Sequence, residues 1–496
     1  MRLPPVFKYH YICCTDNLIL RAALRQGTVM ELFSTQPGDE GLPGRQRLMA
    51  MLAVMTTVTM AVFDGSMVNI ALPTIAKALG VSGSDAIWVA NGYLLATAMT
   101  LAIFAALATR LGFRQVFVFG LSLFTLASAG CALSSSLDML VIMRLLQGVG
   151  GAAVLSISPA ILRSVFPNRL LGRILGLNAF LIATSTAIAP LLGGTLLSTL
   201  GWEWLFAVNI PLGIAALGLS LRVPAGDTAA NPKPFDYAGS LLSALLLGSL
   251  IMAADSFTRS GGMMSALIYS VISLFAGVAF IWRERRAAQP LLPLTLFASA
   301  RFSLAAMTSL ASFIGQGITF VALPFLFQNV YGYSAFASAL LFTPWPVGIM
   351  LAAPRAGRLA DKHSPALIAT TGLGVFTVGL VLLALLPAHA QAWDIGLRSL
   401  VCGIGFGIFQ SPNNREMMAN ASRENSGYAS GILAIMRTFG QCLGAAIVGI
   451  ILALYGNAIW QEPQAIRLSL WVAAGATLLA ISLSGLRTRQ PGQQNI

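Results

Sequence analysis

The chain has 496 residues, of which 56% are hydrophobic and only 9% charged, with a mean hydropathy of +0.79. Soluble domains carry about 25% charged residues, so this composition excludes an ordinary water-soluble enzyme and indicates an all-α polytopic membrane protein. The net charge of +13 comes in short basic clusters between apolar runs, which suits contact with the bilayer and argues against nucleic acid as a partner. Five cysteines are too few and too scattered for a disulfide framework, and His10, His363 and His389 lack metal-ligand spacing. Neither catalysis, a metal nor a cofactor is indicated.

Residues 1–46 are polar and mixed in charge, without the apolar core of a signal peptide, and read as a cytoplasmic tail. Apolar runs follow at 48–69, 86–108, 115–133, 138–160, 171–197, 203–221, 236–254, 264–282, 303–328, 335–353, 366–387, 393–413, 428–454 and 467–485. These fourteen runs predict fourteen transmembrane helices. The expected organisation is a six-helix half over 47–222, a two-helix insert with its linkers over 223–300, a second six-helix half over 301–486 and a short tail over 487–496.

Alternate loops differ sharply in charge. The side shared with both tails holds 24 of the 30 Lys and Arg residues, and the other side only Lys77, Arg259 and Arg467. The remaining three, Arg144, Arg398 and Arg437, fall inside runs. By the positive-inside rule both termini are cytoplasmic, as in a bacterial inner or plasma membrane. The halves also repeat: ALATR at 106–110 resembles GRLADK at 357–362, and Arg144 with Gly148 and Gly150 parallels Arg398 with Gly403 and Gly405. Repeated halves are typical of secondary transporters, and no ATP-binding sequence suggests a primary pump.

One carboxylate, Asp64, interrupts the first run. Placing a charge at membrane depth costs about 2.5 to 3.5 kcal/mol on insertion scales, so such a group is a functional candidate. The alternative is a carboxylate that reaches the interface or only fixes helix packing. Arg144 lies at a similar depth in the fourth run, with Gln147 one turn away on the same face. Attraction would favour the charged carboxylate while burial opposes it, a balance suited to proton exchange, although a purely structural pair is also open. Pro190, Gly193 and Gly194 in IAPLLGG (188–194) mark a helix able to bend.

These motifs resemble the major facilitator superfamily, in particular its fourteen-span drug:proton antiporters of the EmrB/QacA branch and most of all the YebQ-type transporters. The resemblance rests on FDGSMVNIALP (63–73), RLLQGVGGA (144–152), the Pro190 region, WEWLFAVNIPLG (202–213) and PLLPLTLF (290–297). LFTPWP (341–346) and GFGIFQSPNN (405–414) add to it. It implies that Asp64 couples to protons and that Arg144 supports the transfer. The family's loop G-x-L-A-D-R-x-G-R is altered here, because Ala105 and Thr109 replace the glycine and aspartate, leaving Arg110, Gly112 and Arg114. The second copy keeps Gly357, Asp361 and Lys362, and Ser185 and Ala189 stand where the antiporter signature has glycines.

Asn69, Gln147, Asn178, Gln316, Gln328, Gln410, Asn413, Arg437 and Trp345 are the candidate lining of a substrate cavity. Each could equally bond or pack against a neighbouring helix. The expected function is proton-coupled multidrug efflux by alternating access, performed by a monomer on lipophilic substrates, cations included. Export of one metabolite, proton-driven uptake and a non-transporting sensor are the alternatives.

Overall fold

The computed structural model describes residues 41–220, 235–257, 262–287, 290–360, 362–420, 426–455 and 462–488. Every regular element among them is helical. The first group is α1 (Gly44–Leu79), α2 (Gly83–Leu111), α3 (Phe113–Ala132), α4 (Leu137–Val165), α5 (Asn168–Thr199), the single turn α6 (Trp204–Ala207) and α7 (Asn209–Ser220). Next come α8 (Tyr237–Ser256) and α9 (Met263–Arg286). The last group is α10 (Ala300–Phe325), α11 (Ala335–Phe342), α12 (Pro344–Leu359), α13 (Pro365–Ala384), α14 (Ala392–Ala419), α15 (Ser426–Tyr455) and α16 (Glu462–Thr488).

Twelve helical segments among the described residues are long and apolar enough to cross a membrane, against the fourteen expected. At the other two positions stand α5, a helix of 32 residues outside those twelve, and the broken pair α6–α7. The pair runs only from Trp204 to Ser220, short of the roughly 20 residues a single span needs.

Local chemistry sets the helix ends. Ser82 and Ser136 accept the backbone N–H of Asp85 and Met139 at 3.1 and 3.3 Å, capping α2 and α4. Gly80 and Gly112, with φ of 64° and 93°, stop α1 and α2 in backbone conformations that favour glycine. α1 runs ten residues past its apolar stretch, through Pro73, so Asp64 lies deeper in the helix than the sequence suggests.

Two further boundaries change. Arg47, expected just before the first span, and Arg487, expected in the C-terminal tail, are fully buried in helices. Arg47 donates to the Leu42 carbonyl at 3.1 Å and lies over the Phe166 ring, and the Leu42 N–H bonds to the Val165 carbonyl. Arg487 bonds Asn413 Oδ1 at 2.6 Å, Glu416 Oε2 at 3.1 Å and Ser484 Oγ at 2.6 Å. Hydropathy ended these helices early because a charge looks like a boundary until its partner is visible.

Helix packing repeats. α4 lies against α2 and α3, as α14 lies against α12 and α13; α1 packs on α5 and α7, as α10 packs on α15 and α16. The two groups meet where α2 touches α15 and where α5 touches α11 and α12. The α8–α9 hairpin rests against α2 and α15, and its base is fastened by Arg283 Nε to Asp236 Oδ1 at 2.9 Å and by Glu284, which accepts the Leu292 N–H at 2.9 Å.

One apolar cluster joins the two groups at one end, while at the other end two clusters are bridged by Leu292, Ile435 and Met436. Near the α1–α2 turn, Val68, Leu72 and Ile75 share one apolar cluster with Phe313, Phe325 and Phe327. Towards the opposite end, Val54, Phe117 and Leu162 belong to one cluster, while Phe302, Met417 and Ile432 form another. Hydrogen bonds between the two groups follow the same division. Thr74 donates to Gln328 Oε1 at 3.2 Å, and Gln328 Nε2 donates to the Ile70 carbonyl at 2.8 Å, one turn from the donor that Pro73 removes.

The repeated glycines make the close approaches possible. A Cβ on Gly148 would meet the Tyr93 carbonyl at 2.5 Å, and one on Gly403 would strike the equivalent Trp345 carbonyl. In the same way Gly150 faces the Phe124 backbone and Gly405 the Phe376 backbone. Overpacking of this kind costs about 1 to 3 kcal/mol or more. Gly148→Leu is therefore expected to lower the thermal midpoint and the yield of folded protein, whereas Gly475→Leu, with nothing within 4 Å of its Cβ, leaves both unchanged. Equal midpoints for the two variants would refute this packing role.

Candidate functional site

Five helices converge on Asp64. It sits 15 residues before the end of α1, is fully buried, and forms a salt bridge with Arg144 Nη1 of α4. Its other oxygen, Oδ1, accepts Gln147 Nε2 at 2.8 Å and Asn209 Nδ2 of α7 at 3.2 Å. Gln147 also donates to Ser128 Oγ of α3 at 2.8 Å and accepts Arg144 Nη1 at 2.6 Å. Arg144 Nε donates to the Val89 carbonyl of α2 at 2.8 Å.

Aromatic rings close the site. The Arg144 guanidinium lies 4.5 Å from the centroid of Tyr93 and 5.5 Å from that of Phe206. A cation desolvated against such faces gains about 2 kcal/mol, which offsets part of its burial cost. The cluster is an internally satisfied ion pair held out of water.

The candidate cavity residues separate into groups. Gln147 belongs to the sealed cluster, and Gln328 ties α1 to the helical turn Leu326–Val330 that follows α10. Gln316 accepts Gln441 Nε2 at 3.0 Å, joining α10 to α15. Asn69 donates weakly to the Gly65 carbonyl at 3.4 Å, and Asn178 is buried with its Oδ1 unpaired among the described residues. Gln410 and Arg437 are partly exposed.

Two residues are not cavity lining in this structure. Trp345 is fully buried, with its ring 5.3 Å from Phe320 and 5.5 Å from Phe376, so it packs in the aromatic core. Asn413 is fully buried in a separate cluster, donating to Ser309 Oγ at 2.7 Å and accepting from Arg487. That cluster also holds Glu416, which is 4% exposed, so Asp64 is not the only deeply buried carboxylate.

The conformational motifs sit at helix ends and seams. Gly112 ends α2 between the partly exposed Arg110 and Arg114. In the second copy Gly357 approaches Ser411 Oγ and Lys362 is exposed, while Asp361 lies outside the described residues. Pro190 and Gly193 are buried in α5, where Gly193 faces Met67 of α1, and Gly194 meets the α11 backbone at Ala335 and Phe336. Sequence reasoning missed Ser128 and Asn209. The latter lies in the WEWLFAVNIPLG motif already singled out, and its position one turn after an aromatic run was the available signal.

Comparison with known proteins identifies the family. The family model described as Major Facilitator Superfamily matches residues 54–445. The chain is 40% identical to the uncharacterized transporter YebQ of Escherichia coli, over 91% of this chain and 98% of that protein. It is 27% identical to the riboflavin transporter RibZ of Clostridioides difficile, covering 89% and 97%. It is 30% identical to the multidrug resistance protein Stp of Mycobacterium tuberculosis, covering 84% and 77%. Among solved structures, an inward-facing, unoccupied bacterial homolog of the human lysosomal transporter Spinster superposes with a TM-score of 0.65 at 16% identity, over 90% and 97% of the two chains. With a family model matching residues 54–445, a relative 40% identical over nearly the whole chain and twelve membrane-length helices among the described residues, the chain belongs to the major facilitator superfamily and is a multi-pass membrane transporter, not an enzyme.

Proposed function

We propose that this transporter exports small lipophilic molecules, cations among them, in exchange for protons, by alternating access across the inner membrane. The observation that carries the reading is the sealed Asp64–Arg144 pair, an ionisable group whose shell of donors closes it off from water. Protonation of Asp64 would weaken its contacts with Arg144, Gln147 and Asn209 together, loosening α1 from α4 and α7. A proton entering through a membrane potential of 100 mV supplies about 2.3 kcal/mol per charge, enough to bias one step of the cycle. No cofactor beyond the proton gradient is required.

The topology follows the same reading. α5 and the α6–α7 pair complete fourteen spans, with six-helix halves over 47–222 and 301–486 around the 223–300 insert. Both termini face the cytoplasm and the monomer is the working unit. The end where one apolar cluster joins both groups is then the outer face, so this conformation is closed outside. Export of one specific metabolite is the second reading, favoured by the likeness to a protein named as a riboflavin transporter. Resistance profiling of a hypersensitive host separates the two: broad protection supports multidrug export and none supports a single substrate.

Reporter fusions after Leu200 and after Arg489 are expected to report outside and inside respectively. An external C-terminal reporter would overturn the orientation.

Asp64→Asn keeps the shape and hydrogen-bonding capacity of the side chain but cannot release a proton. In inside-out vesicles with an imposed pH gradient, substrate-induced proton release is expected to vanish while the amount of inserted protein stays near wild type. Retained gradient-driven transport would place the coupling proton elsewhere.

Arg144 donates from Nε and Nη1 in fixed directions to the Val89 carbonyl, Asp64 and Gln147, a pattern an ammonium group cannot copy. Arg144→Lys is expected to reduce transport at least tenfold at normal expression. Full activity would reduce the guanidinium to a packing element.

A further inference from the structure

Charges inside the bundle are compensated in most places: Arg144 by Asp64, Arg398 by Asp394 and Arg487 by Glu416. Arg437 of α15 is different, because it makes no hydrogen bond or salt bridge among the described residues. It sits nine residues into the apolar run 428–454. At 1.5 Å per residue that is about 14 Å, near the middle of a hydrocarbon core of about 30 Å. Its nitrogens keep accessible surface, unlike Arg487 Nε, which is buried without a partner. That surface does not belong to a lipid-facing helix: no residue from 431 to 453 is exposed, and α15 packs on α2, α8, α10 and α16. Gln441, one turn on along the same face, donates through Nε2 to Gln316 Oε1 of α10 at 3.0 Å. Gln316 Nε2 is left as an accessible donor without an acceptor.

We propose that Arg437 and Gln316 form a subsite for the acid group of a lipophilic organic anion. An ionisable group at membrane depth is costly unless an opposite charge or water meets it, and here the protein supplies no carboxylate. A guanidinium presents a rigid fork that fits a planar oxyanion with two parallel hydrogen bonds, and Gln316 Nε2 adds a neutral donor. Phe320, one turn on from Gln316 along α10 and only partly buried, offers a ring to the apolar part of the same molecule. Lipid phosphates lie outside the hydrocarbon core, so at mid-membrane depth the anion is a solute. The proposal rests on the export reading and narrows it: a substrate held at this subsite carries an acid group, and a cationic one is held there only as a zwitterion.

Isothermal titration of the full-length protein in nanodiscs with 1-naphthaleneacetate tests the subsite, with 1-naphthaleneacetamide as a neutral control of similar shape. The acid is expected to bind about tenfold more tightly than the amide, or better, as befits hydrogen bonds to a charged group. Arg437→Gln should abolish that preference and leave binding of the amide unchanged. Since Arg437 holds no partner, the same variant should keep or raise the thermal midpoint, which loss of a merely structural arginine would lower. Gln316→Glu retains an acceptor for Gln441 and gives Arg437 an internal carboxylate, so it should also abolish the preference for the acid. Absence of acid binding, equal binding of acid and amide, an undiminished preference in either variant, or a lowered midpoint in Arg437→Gln would each overturn the proposal. The titration needs no gradient: acid binding without export in vesicles refutes the export reading alone, and export without preference for the acid refutes the subsite alone.

Discussion

A charge inside a bilayer must bring its own solvation, and in this protein that requirement draws five helices together. Asp64 comes from α1, Arg144 and Gln147 from α4, Ser128 from α3, the Val89 carbonyl from α2 and Asn209 from α7. Removing one member of such a pair leaves the other uncompensated, at a cost of about 3 to 5 kcal/mol. The packing of the first half is therefore tied to the pairing of one carboxylate.

The two halves share their packing but not their charges. Gly148 and Gly403, and likewise Gly150 and Gly405, let the same helix pairs approach closely. Their arginines have diverged: Arg144 is sealed beside Asp64, whereas Arg398 is partly exposed and pairs with Asp394 one turn away on the same helix. The second half instead buries Arg487 with Glu416 and Asn413 near the opposite end of its bundle. An unequal pair of halves on a common frame allows one to carry the chemistry while the other serves as the body it moves against.

Much of this was legible in the sequence, for physical reasons that differ by residue. Hydropathy located the spans because lipid tolerates few charges, and the rarity of Asp64 and Arg144 within those spans marked them as partners. Asn209 and Ser128 escaped because a neutral polar residue in a span is common and nothing in its spacing says which helix it faces. Arg487 and Glu416 escaped for the opposite reason, since each looked like a helix boundary while standing alone. Trp345 was misplaced because an aromatic ring that lines a cavity and one that fills a core read alike along the chain, and only the contacts with Phe320 and Phe376 decide between them.

The separation of the paired charges along the chain also bears on biogenesis. Arg144 follows Asp64 by 80 residues and Arg487 follows Glu416 by 71. At synthesis rates of about 5 to 20 residues per second, each carboxylate waits roughly 4 to 16 seconds for its guanidinium to leave the ribosome. During that interval α1 must be held at the insertion machinery or carry its carboxylate neutralised. The order of the two partners along the chain thus sets the earliest moment at which the pair can form in the membrane.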